Sequence, residues 1–141
     1  ARFMRDQICA RLARIGEHSS AIHVYEEDAL ALLTRCPQFL PKKSLVYLDQ
    51  PYYVKGSGLY RNFYKHVDHV RIAKLLSSRK FRRPWIVSYD NVDEIRLMYE
   101  YARSFTYGLN YTAQRRYIGA EVMFFGDRLK PPMEMIEQLA A

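Results

Sequence analysis

Between Leu45 and Tyr53 an apolar run, Leu45-Val46-Tyr47-Leu48, stops at a carboxylate, an amide, a proline and two aromatics, Asp49-Gln50-Pro51-Tyr52-Tyr53. A short apolar run bounded by a turn signal reads as a buried strand. Pro51 ends it, because its ring fixes its own φ and also restricts the backbone of Gln50. In an open α/β sheet, ligands bind just outside the carboxyl ends of the strands, so the break falls where a site belongs. Asp49 offers a charged acceptor there and the tyrosines offer flat faces, a set that suits a planar base.

The remaining elements arrange themselves around this strand. Met4, Ile8, Leu12 and Ile15 recur at helical spacing while Arg2, Arg5, Arg11 and Arg14 lie largely elsewhere, predicting an amphipathic helix that ends near Gly16. Its basic face is equally a phosphate track or a solvated arginine face. Ala21–Tyr25 is a strand candidate, and Asp28 is placed as the N-cap of a helix beginning at Ala29. Pro37 to Lys43 reads as a polar connection. Asp68 is placed to cap a helix over His69–Leu76, with Val67 stapling against Ile72. Pro84–Tyr89 is a further strand, and Asp90-Asn91 ends it with turn chemistry before a helix from about Asp93 to Tyr101. Phe105–Tyr111 and Tyr117–Phe125 predict an antiparallel pair across a basic loop holding Arg115 and Arg116. Met133–Leu139 is a short helix at most. The expected class is α/β with a mixed sheet.

Composition narrows the function classes. A chain of 141 residues is one domain's worth, and no apolar run approaches the ~20 residues of a membrane span. A net charge of +7 favours a polyanionic partner without demanding one. Cys9 and Cys36 lie far apart without metal spacing, which fits packing residues in a reducing cytoplasm. His66, His69 and Asp68 lack the further ligands a zinc site needs.

Asp49-Gln50-Pro51-Tyr52 resembles the Asp-Pro-Pro-Tyr signature of Dam-type adenine-specific DNA methyltransferases. The likeness continues through Tyr53–Tyr64, Asp68-His69 and Trp85–Asn91, so it covers most of the chain, but only the C-terminal half of that family. It implies a Rossmann-like fold dependent on S-adenosylmethionine, with no metal, acting on double-stranded DNA whose target adenine is flipped out. Asp49 and the Gln50 carbonyl then accept from the adenine amine, Pro51 holds the turn and Tyr52 stacks on the base. Asp49 also lies near the methyl donor, and Glu26, Glu27 or Asp28 accepts from the donor's adenine. Tyr53, Lys55 and Arg61, in the loop carrying Gly56-Ser57-Gly58, face DNA together with Arg115 and Arg116.

Two departures qualify the resemblance. Gln50 stands where the family has proline; the backbone carbonyl survives, but proline's fixed φ is lost. The family's Gly-rich cofactor loop and target-recognition segment have no counterpart ahead of Ile22, since Gly16 is the only glycine before Gly56. Residues 1–141 are therefore expected to be the C-terminal part of a methyltransferase catalytic domain, completed by the missing half or a second chain. The alternative is a catalytically dead remnant that binds DNA through its basic helix and the Arg115-Arg116 loop. A protein-glutamine methylase resembles this group but carries asparagine at the first motif position, and Asp49 argues for adenine.

Overall fold

A computed structural model describes residues 4–54, 64–111 and 117–129. Helices α1 (Arg5–Glu17), α2 (Ala29–Phe39), α3 (His66–Ser77) and α4 (Asp93–Met98) accompany strands β1 (Val46–Asp49), β2 (Trp85–Asp90), β3 (Arg103–Tyr111) and β4 (Tyr117–Phe125). The sheet runs in the order β1-β2-β4-β3. β1 and β2 are parallel, and β4 pairs antiparallel with both β2 and β3, so β4 alone is reversed. This is the mixed α/β sheet that the sequence predicts, including the antiparallel pair near its end.

Strand periodicity divides the sheet into two unlike faces. Leu48, Val87, Tyr89, Val122 and Phe124 join Leu33 and Cys36 of α2, Ile72, Ala73 and Leu76 of α3, and Ile95 of α4 in one buried cluster. By register, Asp49 and Ser88 share the other face with Asp90, Glu121 and Tyr107. The first face holds the fold together, and the second gathers these polar side chains beside Ile86, Met123, Phe105 and Phe125.

Local sequence explains α2 and α3. Asp28 caps α2, its Oδ1 accepting the Ala31 N–H at 3.0 Å. The helix continues through Pro37 to Phe39, where a connection is predicted. Pro37 has no N–H to offer the carbonyl of Leu33, and the Cys36 thiol donates to that oxygen instead, at 3.3 Å. Arg83 then ties the turn before β1 to the start of β2, donating to the carbonyls of Leu40 at 2.7 Å and Lys42 at 3.1 Å.

On α3 the buried residues His69, Ile72, Ala73 and Leu76 follow helical spacing. This helix begins two residues before the predicted cap, so Asp68 is not the N-cap; from inside the first turn it accepts the Lys65 N–H at 3.0 Å. Val67 is exposed and makes no staple.

Other expectations are corrected. Residues 22–25 form no strand: a 3-10 turn at Ser19–Ala21 leads into chain without a ladder partner among the described residues, and Val24 is 88% exposed. Side chains secure it instead, the Tyr25 ring lying 5.6 Å from Phe39 and under the Arg35 guanidinium. The apolar stripe of α1 is present but uncovered, with none of the helix's residues buried. Cys9 on that helix is exposed, so only Cys36 is a packing residue.

His69 is enclosed by the rings of Tyr53, Tyr64 and Tyr89, and its Nδ1 shares a 3.0 Å hydrogen bond with the Tyr89 hydroxyl. Burial holds its imidazole below the ordinary value of 6.5, against a weaker upward pull from Asp68 and Asp90. The unfolded chain therefore binds this proton more readily than the folded one. His69's contribution to stability is full above about pH 6.5 and is lost as pH falls through that value towards the folded pKa. Urea unfolding at pH 7.5 and pH 5 should show this loss, and His69→Gln should show less of it; an equal loss in both would exclude His69 as the source.

Candidate functional site

The two parallel strands end side by side, β1 at Asp49 and β2 at Asp90. Asp49 is exposed and sits opposite Ser88, whose buried hydroxyl donates to Asp49 Oδ1 at 3.0 Å. With that proton committed, the Tyr47 hydroxyl, 3.0 Å from Ser88 Oγ, is the donor to Ser88. The relay orients the Asp49 carboxylate through one oxygen. The Gln50 side chain turns inward, 6% exposed, and its Oε1 finds no partner among the described residues.

Asp90 governs the loop beyond. Its Oδ1 accepts the Tyr53 N–H at 2.7 Å and its Oδ2 accepts the Val54 N–H at 3.0 Å. Both carboxylate oxygens thus pin consecutive amides, and the chain between Asp49 and Val54 is held at both ends. The two tyrosines diverge. Tyr53 lies against α3, with its hydroxyl 2.8 Å from His66 Nδ1 and its ring 5.3 Å from His69. Tyr52 turns to the sheet and donates to Glu121 Oε1 at 2.6 Å, while Tyr107 donates to Glu121 Oε2 at 2.8 Å.

Asp49, Gln50, Pro51 and Tyr52 are therefore brought together as a unit. Asp28 uses one oxygen as the α2 cap, Glu27 pairs with Arg35, and Glu26 is exposed in the same segment. The pairing holds the Glu27 carboxyl below its usual range and raises Arg35. Lys55, Arg61, Arg115 and Arg116 lie outside the described residues. No group of three potential metal ligands occurs among the described residues.

Sequence reasoning missed Ser88, Glu121 and Tyr107 and read Asp90 only as turn chemistry. A signal for Glu121 existed: it is a lone carboxylate inside the apolar run from Tyr117 to Phe125. Strand pairing brings it opposite Asp90 and Tyr107.

If Asp90 holds the loop, Asp90→Ala frees two amides that a charged acceptor had satisfied, each such bond contributing about 1.5–3 kcal/mol. Hydrogen exchange at Tyr53 and Val54 should accelerate at least about tenfold in Asp90→Ala and less in Asp90→Asn. Unchanged protection at both amides would dismiss the clamp.

Compared with models of known protein families and with curated proteins, the sequence matches none.

Proposed function

We propose that this chain carries the base-accepting site of an S-adenosylmethionine-dependent DNA adenine methyltransferase, with a Rossmann-like fold completed by further polypeptide. The observation that carries the reading is the conjunction at the end of β1: an oriented carboxylate on Asp49, the adjacent Gln50 carbonyl, and Tyr52 secured by Glu121. A mixed sheet in the order β1-β2-β4-β3 is compatible with that fold.

Adenine's exocyclic amine is a poor nucleophile because its lone pair is delocalised into the ring. Two acceptors on its hydrogens draw the nitrogen towards tetrahedral geometry and stabilise the positive charge it gains, the logic of placing fixed dipoles where charge develops. Asp49 Oδ1 already accepts from Ser88, so Oδ2 is the oxygen assigned to the amine, with the Gln50 carbonyl as its companion. Tyr52 stacks on the extruded base and offsets part of the stacking lost from the duplex, on the order of 1–3 kcal/mol.

S-adenosylmethionine supplies an electrophilic methyl on a sulfonium cation. Asp49 presents an exposed carboxylate suited to that cation, and Glu26, exposed before α2, suits the amino group of the donor's adenine. The partner is double-stranded DNA in the cytoplasm, and the exposed Arg5, Arg11 and Arg14 of α1 suit its phosphates.

The outer edge of β1 suits the missing polypeptide. β1 ends the sheet order, and its outward Tyr47 is half exposed. A slot of about 250 Å³, lined by Leu32, Leu33, Phe39, Val46 and Tyr47 among others, lies between it and α2. Parallel sheets are ordinarily covered on both faces, and an open apolar edge invites another strand. Sedimentation should show self-association of the isolated chain, relieved when the completing segment is supplied. A monodisperse monomer that unfolds cooperatively would remove this part of the proposal.

The function is tested by transfer of labelled methyl from S-adenosylmethionine to DNA. Asp49→Ala should abolish incorporation and Gln50→Pro should raise it. Incorporation that survives Asp49→Ala unchanged would sink the assigned roles. Phosphate-dependent DNA binding without cofactor-dependent thermal stabilisation would instead mark a DNA-binding remnant.

A further inference from the structure

We infer that Glu121 is the positioning residue of the base pocket, fixing where the Tyr52 ring lies; the inference rests on the base-stacking role proposed for Tyr52. The residue sits on β4, directly opposite Asp90 on one side and Tyr107 on the other. Cross-strand partners share a face, so three side chains stand in one row, level with the end of β2. Glu121 is buried, at 9% exposed, in an otherwise apolar strand. A carboxylate in such a place is costly unless its oxygens are bonded, and here each oxygen receives one phenol, from Tyr52 at 2.6 Å and Tyr107 at 2.8 Å.

The geometry restrains Tyr52 from two directions. Its backbone lies between Pro51 and the Tyr53 amide that Asp90 holds. Its hydroxyl, at the far end of the ring, is tied to β4 by a short charge-assisted bond. A ring held at both ends of its long axis cannot swing out of the site, so a base meets it without first ordering χ1 of the side chain. Ordering such a side chain on binding is an entropic cost that preorganisation removes.

The requirement for glutamate over glutamine follows from the donor count. Two phenols each present one O–H, and only a carboxylate offers an acceptor oxygen to both; a glutamine has one carbonyl oxygen and must point its NH2 at the other hydroxyl. Glu121→Gln therefore keeps the volume and one bond, while Glu121→Ala removes both of these bonds.

The test uses a single-stranded oligonucleotide in which one adenine is replaced by 2-aminopurine, whose fluorescence is quenched on stacking. Wild-type chain should quench it, Tyr52→Ala should not, and Glu121→Ala should need roughly tenfold more protein for half-quenching, a lost bond to a charged group being of that order. Glu121→Gln should fall between. The decisive arm is a double-mutant cycle: in a Tyr52→Phe background, Glu121→Gln should have no further effect, because the hydroxyl it acts on is gone. Independent, additive losses would overturn the inference, as would wild-type quenching by Glu121→Ala while Tyr52→Ala fails to quench. Wild-type quenching by Tyr52→Ala would overturn the base-stacking reading itself, which is a separate result.

Discussion

The Asp90 carboxylate is the constraint on which the rest of the site depends. It ends a strand in which Trp85, Val87, Ser88 and Tyr89 are buried, so its backbone is fixed by the core, and it uses both oxygens on the consecutive amides of Tyr53 and Val54. Without that anchor the backbone of Tyr53 and Val54 loses both of its carboxylate bonds, and side-chain contacts alone, Tyr52 to Glu121 and Tyr53 to His66, tie this stretch to the fold. With it, residues 49–54 are tied to the ends of both parallel strands, and the divergence of Tyr52 from Tyr53 follows. A backbone held in one place sends successive side chains to opposite sides: Tyr53 into the aromatic packing around His69, Tyr52 to Glu121.

The polar face of the sheet is built from pairs remote in sequence. Asp49 meets Ser88, Asp90 meets Glu121, and Glu121 meets Tyr107, all through register. Each charged group is paired before any ligand arrives: Asp49 with a hydroxyl, Asp90 with two amides, Glu121 with two phenols. Preorganised dipoles and carboxylates of this kind need no rearrangement at the moment of reaction, which suits the base-accepting role proposed for the site.

What the sequence makes legible is local. The Asp28 cap, the helical stripe on α3, the extents of β3 and β4 and the break at Asp49 all rest on neighbours a few residues apart, and each appears in the structure to within a residue or two. The missed features depend on pairing across the sheet. Glu121 gains its meaning from Tyr52, 69 residues earlier. Residues 21–25 mislead for the converse reason: their β-rich composition predicts a strand, yet a strand is a relation to a partner, and this segment has none among the described residues. The helix through Pro37 misleads because the Cys36 thiol answers the carbonyl that proline abandons, a repair invisible to a rule about proline alone.

Gln50 is where the two levels meet. As a departure from the resembling signature it reads as lost rigidity at the turn. In the fold its side chain is nearly enclosed and its Oε1 lacks a partner among the described residues. Burying an amide oxygen without a hydrogen bond costs about 1–3 kcal/mol, which proline at the same position avoids. The backbone carbonyl, the group the proposed chemistry needs, is unaffected by either choice, and Pro51 still restricts the residue before it. The substitution therefore bears on the stability and order of the turn rather than on the identity of its acceptors. The outer restraints, Ser88 on Asp49 and Asp90 on Tyr53 and Val54, are what keep that turn in place when its second residue is not proline.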